Sequence, residues 1–510
     1  MNKPVEPGDA SPLGVAVEKY ASTTPDALAV VDGEVRLNYR QVHRKVSELR
    51  ELLGDLDLRP NSVIGISLRR SWRIPIAIAA VLSHGCTYVP LDPNYPDERL
   101  AFMARDSGVE AVIVDADGVV ADGNLDVPTI SMESLIQDKE PRFTLPIARA
   151  AEAGYIIYTS GSTGVPKGVR VAERGVTQLF TSAREYVEFT SMDVWIQLHS
   201  YSFDFSVWEI WGALLHGGRL VVPTDSQTAD PKILLKLLGL ERVTVLCQIP
   251  SAFRYLVQAY GAEPVQLSLR YLFLGGEPLD VESLQRWTAL RPGQEQIFNL
   301  YGVTETTIVT TAARIEADDL RPGVSEPRIG KPLAHLSVKL VNEIGRVIPV
   351  GSTGEIYIAG SGVALGYQGR PDLTAERFPV LDLGEGPKRY YRSGDLARML
   401  PNGDLIYLGR ADEQVKIRGY RIELHEIDEV ISCVHEVSAV ATVMTKDRYG
   451  DPMLVSYYEK RAGADVSSAG LRDACEERLP AYMIPQKFIA IGSLPRTPSG
   501  KIDRNSLVRR

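Results

Sequence analysis

The sequence predicts an α/β protein of at least two domains, and three observations carry that prediction. Short apolar runs alternate with segments of helical spacing over most of the chain. From about Gly354 the pattern turns β-rich, with runs at Gly354 to Ala359 and Leu405 to Leu408 parted by Gly and Pro turns. At 510 residues the chain is also too long for one ordinary core.

Taken in order, Ala27 to Val31, Val63 to Ser67, Ala111 to Val114, Arg219 to Val222 and Thr244 to Cys247 read as strands. Tyr39 to Leu53 and Asp230 to Leu240 repeat their apolar residues at helical spacing. A boundary is expected at Gly409-Arg410-Ala411-Asp412, after which strand-like and helical segments recur, which divides the chain into residues 1–411 and 412–510. No internal repeat or low-complexity segment stands out.

Composition narrows the function. A hydrophobic content of 44% with 24% charged residues is that of a soluble globular protein. The 56 basic and 65 acidic residues leave a net charge of -9, which argues against a nucleic-acid footprint, so any polyanionic ligand must be met locally. Cys86, Cys247, Cys433 and Cys475 are far apart and include no Cys-x-x-Cys pair, so neither a disulfide framework nor a zinc site is expected. The N-terminus lacks a secretion signal, and the longest apolar stretch, Ile74 to Leu82, stops at Ser83-His84, short of a membrane span. The sequence predicts a cytoplasmic protein with no membrane partner.

The most specific segment runs from Tyr158 through Thr159-Ser160-Gly161-Ser162-Thr163-Gly164-Val165-Pro166 to Lys167-Gly168. Glycines let a polyanion approach the backbone, hydroxyls offer rotatable donors, and Lys167 adds a positive charge. The composition is that of a phosphate-gripping loop. A Walker P-loop is excluded, because Pro166 precedes Lys167 and Gly168 stands where that motif needs the magnesium-binding hydroxyl. Small polar residues with Gly and Pro also suit a plain surface loop, so the remaining motifs must decide. The tail Leu494-Pro495-Arg496-Thr497-Pro498-Ser499-Gly500-Lys501 reads as a loop with a lysine at its tip, or as a frayed terminus.

Together these stretches resemble the adenylation domains of nonribosomal peptide synthetases, within the superfamily of acyl- and aryl-CoA synthetases and luciferases. The likeness runs from Leu37-Asn38-Tyr39 to Lys501. It includes the phosphate loop, Phe203-Asp204-Phe205-Ser206-Val207-Trp208, Asn299-Leu300-Tyr301-Gly302-Val303-Thr304-Glu305, Tyr391-Arg392-Ser393-Gly394-Asp395, the run Gly409 to Gly419, and Leu479-Pro480-Ala481-Tyr482-Met483-Ile484-Pro485. Ser83 to Pro90, Val303 and Ser393 depart from the family pattern without removing a charged or acid-base group.

The resemblance implies a large N-terminal adenylation core and a small mobile lid that carries a catalytic lysine. It implies ATP and Mg²⁺, an amino acid substrate joined to the α-phosphate with loss of pyrophosphate, and transfer to the phosphopantetheine thiol of a separate carrier protein. An MbtH-like accessory protein is raised as a further partner. A carboxylate attacking a phosphate is anion meeting anion, so positioning and charge neutralisation must dominate. By resemblance Thr159 to Lys167 handles the β- and γ-phosphates, Thr304 contacts the α-phosphate, Glu305 ligates Mg²⁺, and Lys501 bridges carboxylate and α-phosphate. Asn299, Tyr301 and Gly302, with Gly276 and Glu277, are the adenine side; Asp395, Arg410 and Tyr407 are the ribose side; Asp412 is the hinge.

Taken singly, Glu305 also reads as a solvated glutamate, Tyr407 as a strand tyrosine and Asp412 as turn chemistry. Asp204 matches the family position that binds the α-ammonium of an amino acid. The remaining pocket positions carry over to Phe205, Trp208, Cys247, Phe273, Gly275, Leu300, Ile308 and Val309. None is charged, so a small or medium uncharged amino acid, threonine- or serine-like or an analogue, is the expected substrate. Cys247 suits an apolar filler equally well. The alternatives are an acyl- or aryl-CoA ligase and a non-catalytic nucleotide-binding domain. The chain ends at Arg510 without a carrier stretch, from which a free-standing enzyme is expected, although an excised piece reads the same.

Overall fold

Strands Val245–Gln248 and Tyr271–Gly275 are buried at every position, so near-continuous apolar runs place them in the middle of a sheet covered on both faces. The computed structural model describes residues 11–115, 126–135, 148–161, 165–321, 327–412, 414–448, 450–461, 463–496 and 502–508. Around that centre Leu28–Asp32, Arg219–Val221, Val194–Ile196, Val245–Gln248, Tyr271–Gly275 and Gln296–Tyr301 pair in parallel in that order. The sheet continues in antiparallel register through Thr311–Arg314, Arg328–Pro332, Leu405–Arg410, Pro387–Met399, Thr353–Gly360 and Leu336–Val341, and with Val35–Asn38 on Leu28–Asp32 and Val380–Asp382 on Pro387–Met399 it makes one mixed sheet of 14 strands among the described residues.

A second sheet, of seven strands, contains Val63–Ser67, Thr87–Pro90 and Tyr155–Thr159 in parallel, with Lys167–Val171 turned back against Tyr155–Thr159. Helices Arg73–Ser83 and Phe205–Leu214 are apolar nearly all round, and they share one apolar cluster with strands of both sheets. The helix at Tyr39–Gly54 starts at a capping box in which Asn38 and Gln41 exchange hydrogen bonds of 2.9 and 3.0 Å. Helix Pro231–Leu240 has Asp230 as its cap and Pro231 at its first position. Among the described residues no helix is long and apolar enough to cross a membrane.

The small C-terminal domain has its own three-stranded sheet, Val437–Lys446, Pro452–Lys460 and Lys487–Ala490. Its own apolar cluster includes Ile422, Ile427, Leu454 and Leu471. A hairpin, Gln414–Ile417 with Tyr420–Glu423, leads into it. Arg418 and Gly419 turn that hairpin with φ of 51° and 77°, as a two-residue turn matched to strand twist requires.

Of the stretch where the boundary was expected, Gly409 and Arg410 still belong to strand Leu405–Arg410, where Asp395 pairs with Arg410. Of the tail read as a loop or a frayed terminus, residues 497–501 lie outside the described residues; residues 502–508 are packed, with helix Arg504–Val508 burying Leu507 and Arg504 donating to the Thr442 carbonyl at 2.6 Å and to Asp428 at 2.7 Å.

Candidate functional site

The carboxyl ends of Val245–Gln248, Tyr271–Gly275 and Gln296–Tyr301 open into adjacent loops, the place where parallel α/β sheets leave a crevice for ligands. Three cavities meet there. The first, about 90 Å³, is walled by Thr159, Ser160, Asp204, Phe205, Gly275, Leu300, Gly302, Thr304, Ile308 and Val309. The second, about 380 Å³, is walled by Gly276, Glu277, Asn299, Tyr301, Gly302 and Tyr407. The third, a groove of about 770 Å³, runs past Glu277, Arg410 and Asp412 between the two domains. Lys416 lines all three.

Trp208, Cys247 and Phe273 do not touch the smallest cavity. They lie one layer behind it, where Trp208 stacks on Phe180 at 4.6 Å and meets Phe273 edge-on at 5.7 Å. Phe205 closes the front of that layer and packs on His199 at 4.7 Å. The opposite wall rests on strained backbone: Thr307 and Ile308 have φ of 59° and 71°, an unusual conformation for β-branched residues. Thr307 Oγ1 donates to the Gly362 carbonyl at 2.6 Å, and the Thr306 and Thr310 hydroxyls bond at 2.7 Å, holding the turn. Position 302 must be glycine, because a Cβ there would stand 2.0 Å from the Ile308 carbonyl oxygen.

Asp204 sits at the start of helix Phe205–Leu214 and is 6% exposed. Burial pushes its carboxyl up to about 6, although a hydrogen bond from Thr304 draws it back. Asp395 is wholly buried and already satisfied: Tyr301 donates to it at 2.7 Å, Arg410 at 2.8 Å and Tyr407 at 3.4 Å. Asn299 donates to the Arg328 carbonyl at 2.7 Å. Arg410 also grips both oxygens of Asp412, at 2.6 and 2.7 Å, and Asp412 accepts the Gln414 amide at 3.3 Å, so the turn chemistry expected of an aspartate is present.

Glu305 is fully buried and so cannot be the solvated glutamate its lone reading allowed. It accepts from Tyr367 at 2.9 Å and from Arg421 at 3.1 and 3.3 Å, and Lys167 stands 3.5 Å away. Burial alone would raise its carboxyl, but Arg421 and Lys167 hold it well below the usual range. Burial in turn lowers Lys167 to about 8. The phosphate-loop residues Ser162, Thr163 and Gly164, and the tail residue Lys501, lie outside the described residues. Gly161 is described, and a Cβ on it would meet the Val165 carbonyl oxygen at 1.9 Å.

Several site residues escaped the sequence reading. Lys416 and Arg421 come from the hairpin of the small domain, which presses on the crevice. The Gly419 amide donates to Glu277 at 2.9 Å, and Glu277 also accepts from the Ser251 amide at 3.0 Å. Burial lowers the Lys416 ammonium, partly offset by Asp395 and Asp204. Tyr420 stacks on Tyr482 at 3.8 Å, with Tyr95 edge-on to Tyr482 at 6.5 Å. Arg99 and Glu426 form a buried ion pair at 2.8 Å across the same interface. The run Gly409 to Gly419 contains Lys416 and Gly419, and the run Leu479 to Pro485 contains Tyr482, but neither gave Tyr420 or Arg421; Tyr367 and Arg99 carry no local signal, since only the fold brings them here.

Removing one partner of a buried ion pair leaves a charge uncompensated, at a cost of about 3–5 kcal/mol. Arg99→Ala is therefore expected to weaken this docking of the small domain. The check is single-turnover acyl transfer to a carrier thiol compared with pyrophosphate exchange: transfer is expected to slow at least about tenfold more than exchange.

The comparisons agree with this geometry. Residues 17–368 match the family model "AMP-binding enzyme", and residues 426–501 match "AMP-binding enzyme C-terminal domain". A dimodular nonribosomal peptide synthase of Bacillus subtilis is 39% identical over 96% of this chain, and the chain spans 21% of its length. A syringomycin synthase of Pseudomonas syringae pv. syringae is 37% identical over 95% of this chain, which spans 79% of that protein. Among solved structures, an artificially fused adenylation–PCP di-domain NRPS from Klebsiella oxytoca superposes with a TM-score of 0.83 at 27% identity, covering 95% of this chain and 94% of that one. The chain belongs to the AMP-binding enzymes, and within them to the adenylation domains of nonribosomal peptide synthetases.

Proposed function

We propose that the protein activates a small, uncharged amino acid as its aminoacyl-adenylate, releasing pyrophosphate, and then passes the acyl group to the phosphopantetheine thiol of a carrier protein. The observation that carries this reading is Asp204: a buried carboxylate with no ion pair among the described residues, at the wall of a cavity of about 90 Å³ whose Phe205, Leu300, Ile308 and Val309 side is apolar. A substrate ammonium would supply the missing charge, and the cavity leaves room for only a short side chain. Threonine, serine and their analogues fit that size.

The neighbouring cavity of about 380 Å³ suits a nucleoside: Asn299, Tyr301 and Tyr407 wall it, and Asp395 and Arg410 stand behind that wall, bonded to Tyr301 and Tyr407, so their sugar role rests on their family positions. Glu305 would be the ligand of a divalent cation, since a carboxylate oxygen is what Mg²⁺ prefers and this buried site already holds the cations Arg421 and Lys167. Bound there, Mg²⁺ would neutralise phosphate oxygens. By their family positions Lys167 would hold a phosphate oxygen and Thr304 would contact the α-phosphate.

The carrier arm needs a passage of its own. A cleft of about 410 Å³ that shares Tyr95, Tyr420 and Tyr482 with the substrate cavity is the candidate passage. The Klebsiella oxytoca relative is an artificially fused adenylation–PCP di-domain, which supports a carrier partner. An MbtH-like partner rests on the resemblance, and co-purification with such a protein tests it.

Pyrophosphate exchange into ATP, screened over amino acids against fatty and benzoic acids, tests reaction and substrate together. Exchange with small neutral amino acids alone is the expected result; exchange with aryl or fatty acids favours the CoA-ligase alternative, and none at all favours a non-catalytic domain. Phe205→Ala is expected to admit larger apolar side chains and to lower kcat/KM for the small substrate by about tenfold, as measured in the same assay.

A further inference from the structure

Glu305 is the point where both domains meet. It belongs to the large domain, yet Arg421 of the small-domain hairpin lies across both its oxygens, at 3.1 and 3.3 Å. The same hairpin covers the start of the phosphate loop: Ser160 donates to the Arg421 carbonyl at 2.7 Å, and the Glu423 amide donates to Ser160 at 3.2 Å. A hard cation needs a carboxylate oxygen at about 2.1 Å, and a guanidinium spanning both oxygens occupies that approach. Two like charges a few ångström apart in a buried site also repel strongly.

We propose that Arg421 and the divalent cation are alternative counter-ions of Glu305. The hairpin then docks only once metal-bound pyrophosphate has left, and its docking in turn opposes rebinding. Arg421 thereby orders the two half-reactions: the buried carboxylate always has a cation, the metal during adenylation and the guanidinium during transfer. This rests on the reading of Glu305 as the metal ligand. Because coupling between ligands is reciprocal, whatever factor the metal takes from hairpin docking, Arg421 takes from metal affinity, and such factors run from about 5- to 150-fold.

The test is binding of Mn²⁺–pyrophosphate to the full chain, read by the loss of the free Mn²⁺ electron paramagnetic resonance signal. Arg421→Ala and Arg421→Gln are expected to bind about tenfold more tightly than wild type, with Arg421→Lys between them and wild type. A gain in affinity is not produced by misfolding. Glu305→Gln is expected to bind more weakly than wild type. A dye on Cys433, the exposed cysteine of the small domain, and one on Met192→Cys of the large domain report orientation. Mn²⁺–pyrophosphate is expected to shift their energy transfer in wild type and to shift it less in Arg421→Ala. Unchanged or weaker binding by both neutral variants overturns the competition while leaving the metal site intact, provided Glu305→Gln has lost affinity. Undiminished binding by Glu305→Gln removes the metal ligand and the proposal together.

Discussion

Asp204→Asn is expected to lower amino-acid-dependent pyrophosphate exchange by about 10²–10³-fold in kcat/KM, because a substrate ammonium left without its buried counter-charge costs about 3–5 kcal/mol. The isosteric amide keeps the shape of the pocket, so the loss should fall on amino acids and not on ATP. A pH signature accompanies it. Burial pushes the Asp204 carboxyl up to about 6 before substrate arrives, and the ammonium binds only the ionised form. The wild-type kcat/KM for the amino acid should fall about tenfold per pH unit below that value, whereas the Asp204→Asn profile should lack this limb.

Stability moves the other way. A carboxyl whose folded pKa is raised costs stability progressively as pH rises from its unfolded value to its folded value, and the full cost persists above about 6. Asp204→Asn should therefore raise the Tm of the substrate-free protein at neutral pH while lowering activity. Unchanged amino-acid KM and kcat in the variant would mean that Asp204 does not face the amine.

Lys501→Ala is expected to reduce adenylate formation by at least about 10²–10³-fold with the fold retained, since a lysine aimed at charge that develops in the transition state acts in the manner of an oxyanion donor. The assignment comes from the family position of Lys501. Its consequence is separable from that of the hairpin: a supplied aminoacyl-adenylate should still be transferred to a carrier thiol by Lys501→Ala, because the family position assigns Lys501 to the first half-reaction alone. Near-wild-type exchange by the variant would refute the role, and a circular-dichroism melt distinguishes lost chemistry from lost fold.

Local features carried well from sequence to structure. Val63–Ser67 was legible to the residue, because the β-branched residues Val63, Ile64 and Ile66 follow directly on the turn signal Pro60-Asn61. The lining of the smallest cavity was legible only in part. Phe205, Gly275, Leu300, Ile308 and Val309 form its surface, whereas Trp208, Cys247 and Phe273 support it from behind, a distinction made by the stacking of Trp208 on Phe180. The strained turn at Thr307 and Ile308 was illegible, since β-branched residues argue against positive φ and only bonds to Gly362 and Thr310 impose it.

By itself the sequence determined the α/β class, through its hydrophobic period, and the family, through motifs each confined to a few consecutive residues. Only the tertiary structure decided which charges neutralise one another. The joining of Glu305 to Lys167, Tyr367 and Arg421, and of Arg99 to Glu426, spans up to several hundred residues, and burial in a low-dielectric interior is what turns those distant groups into obligatory partners.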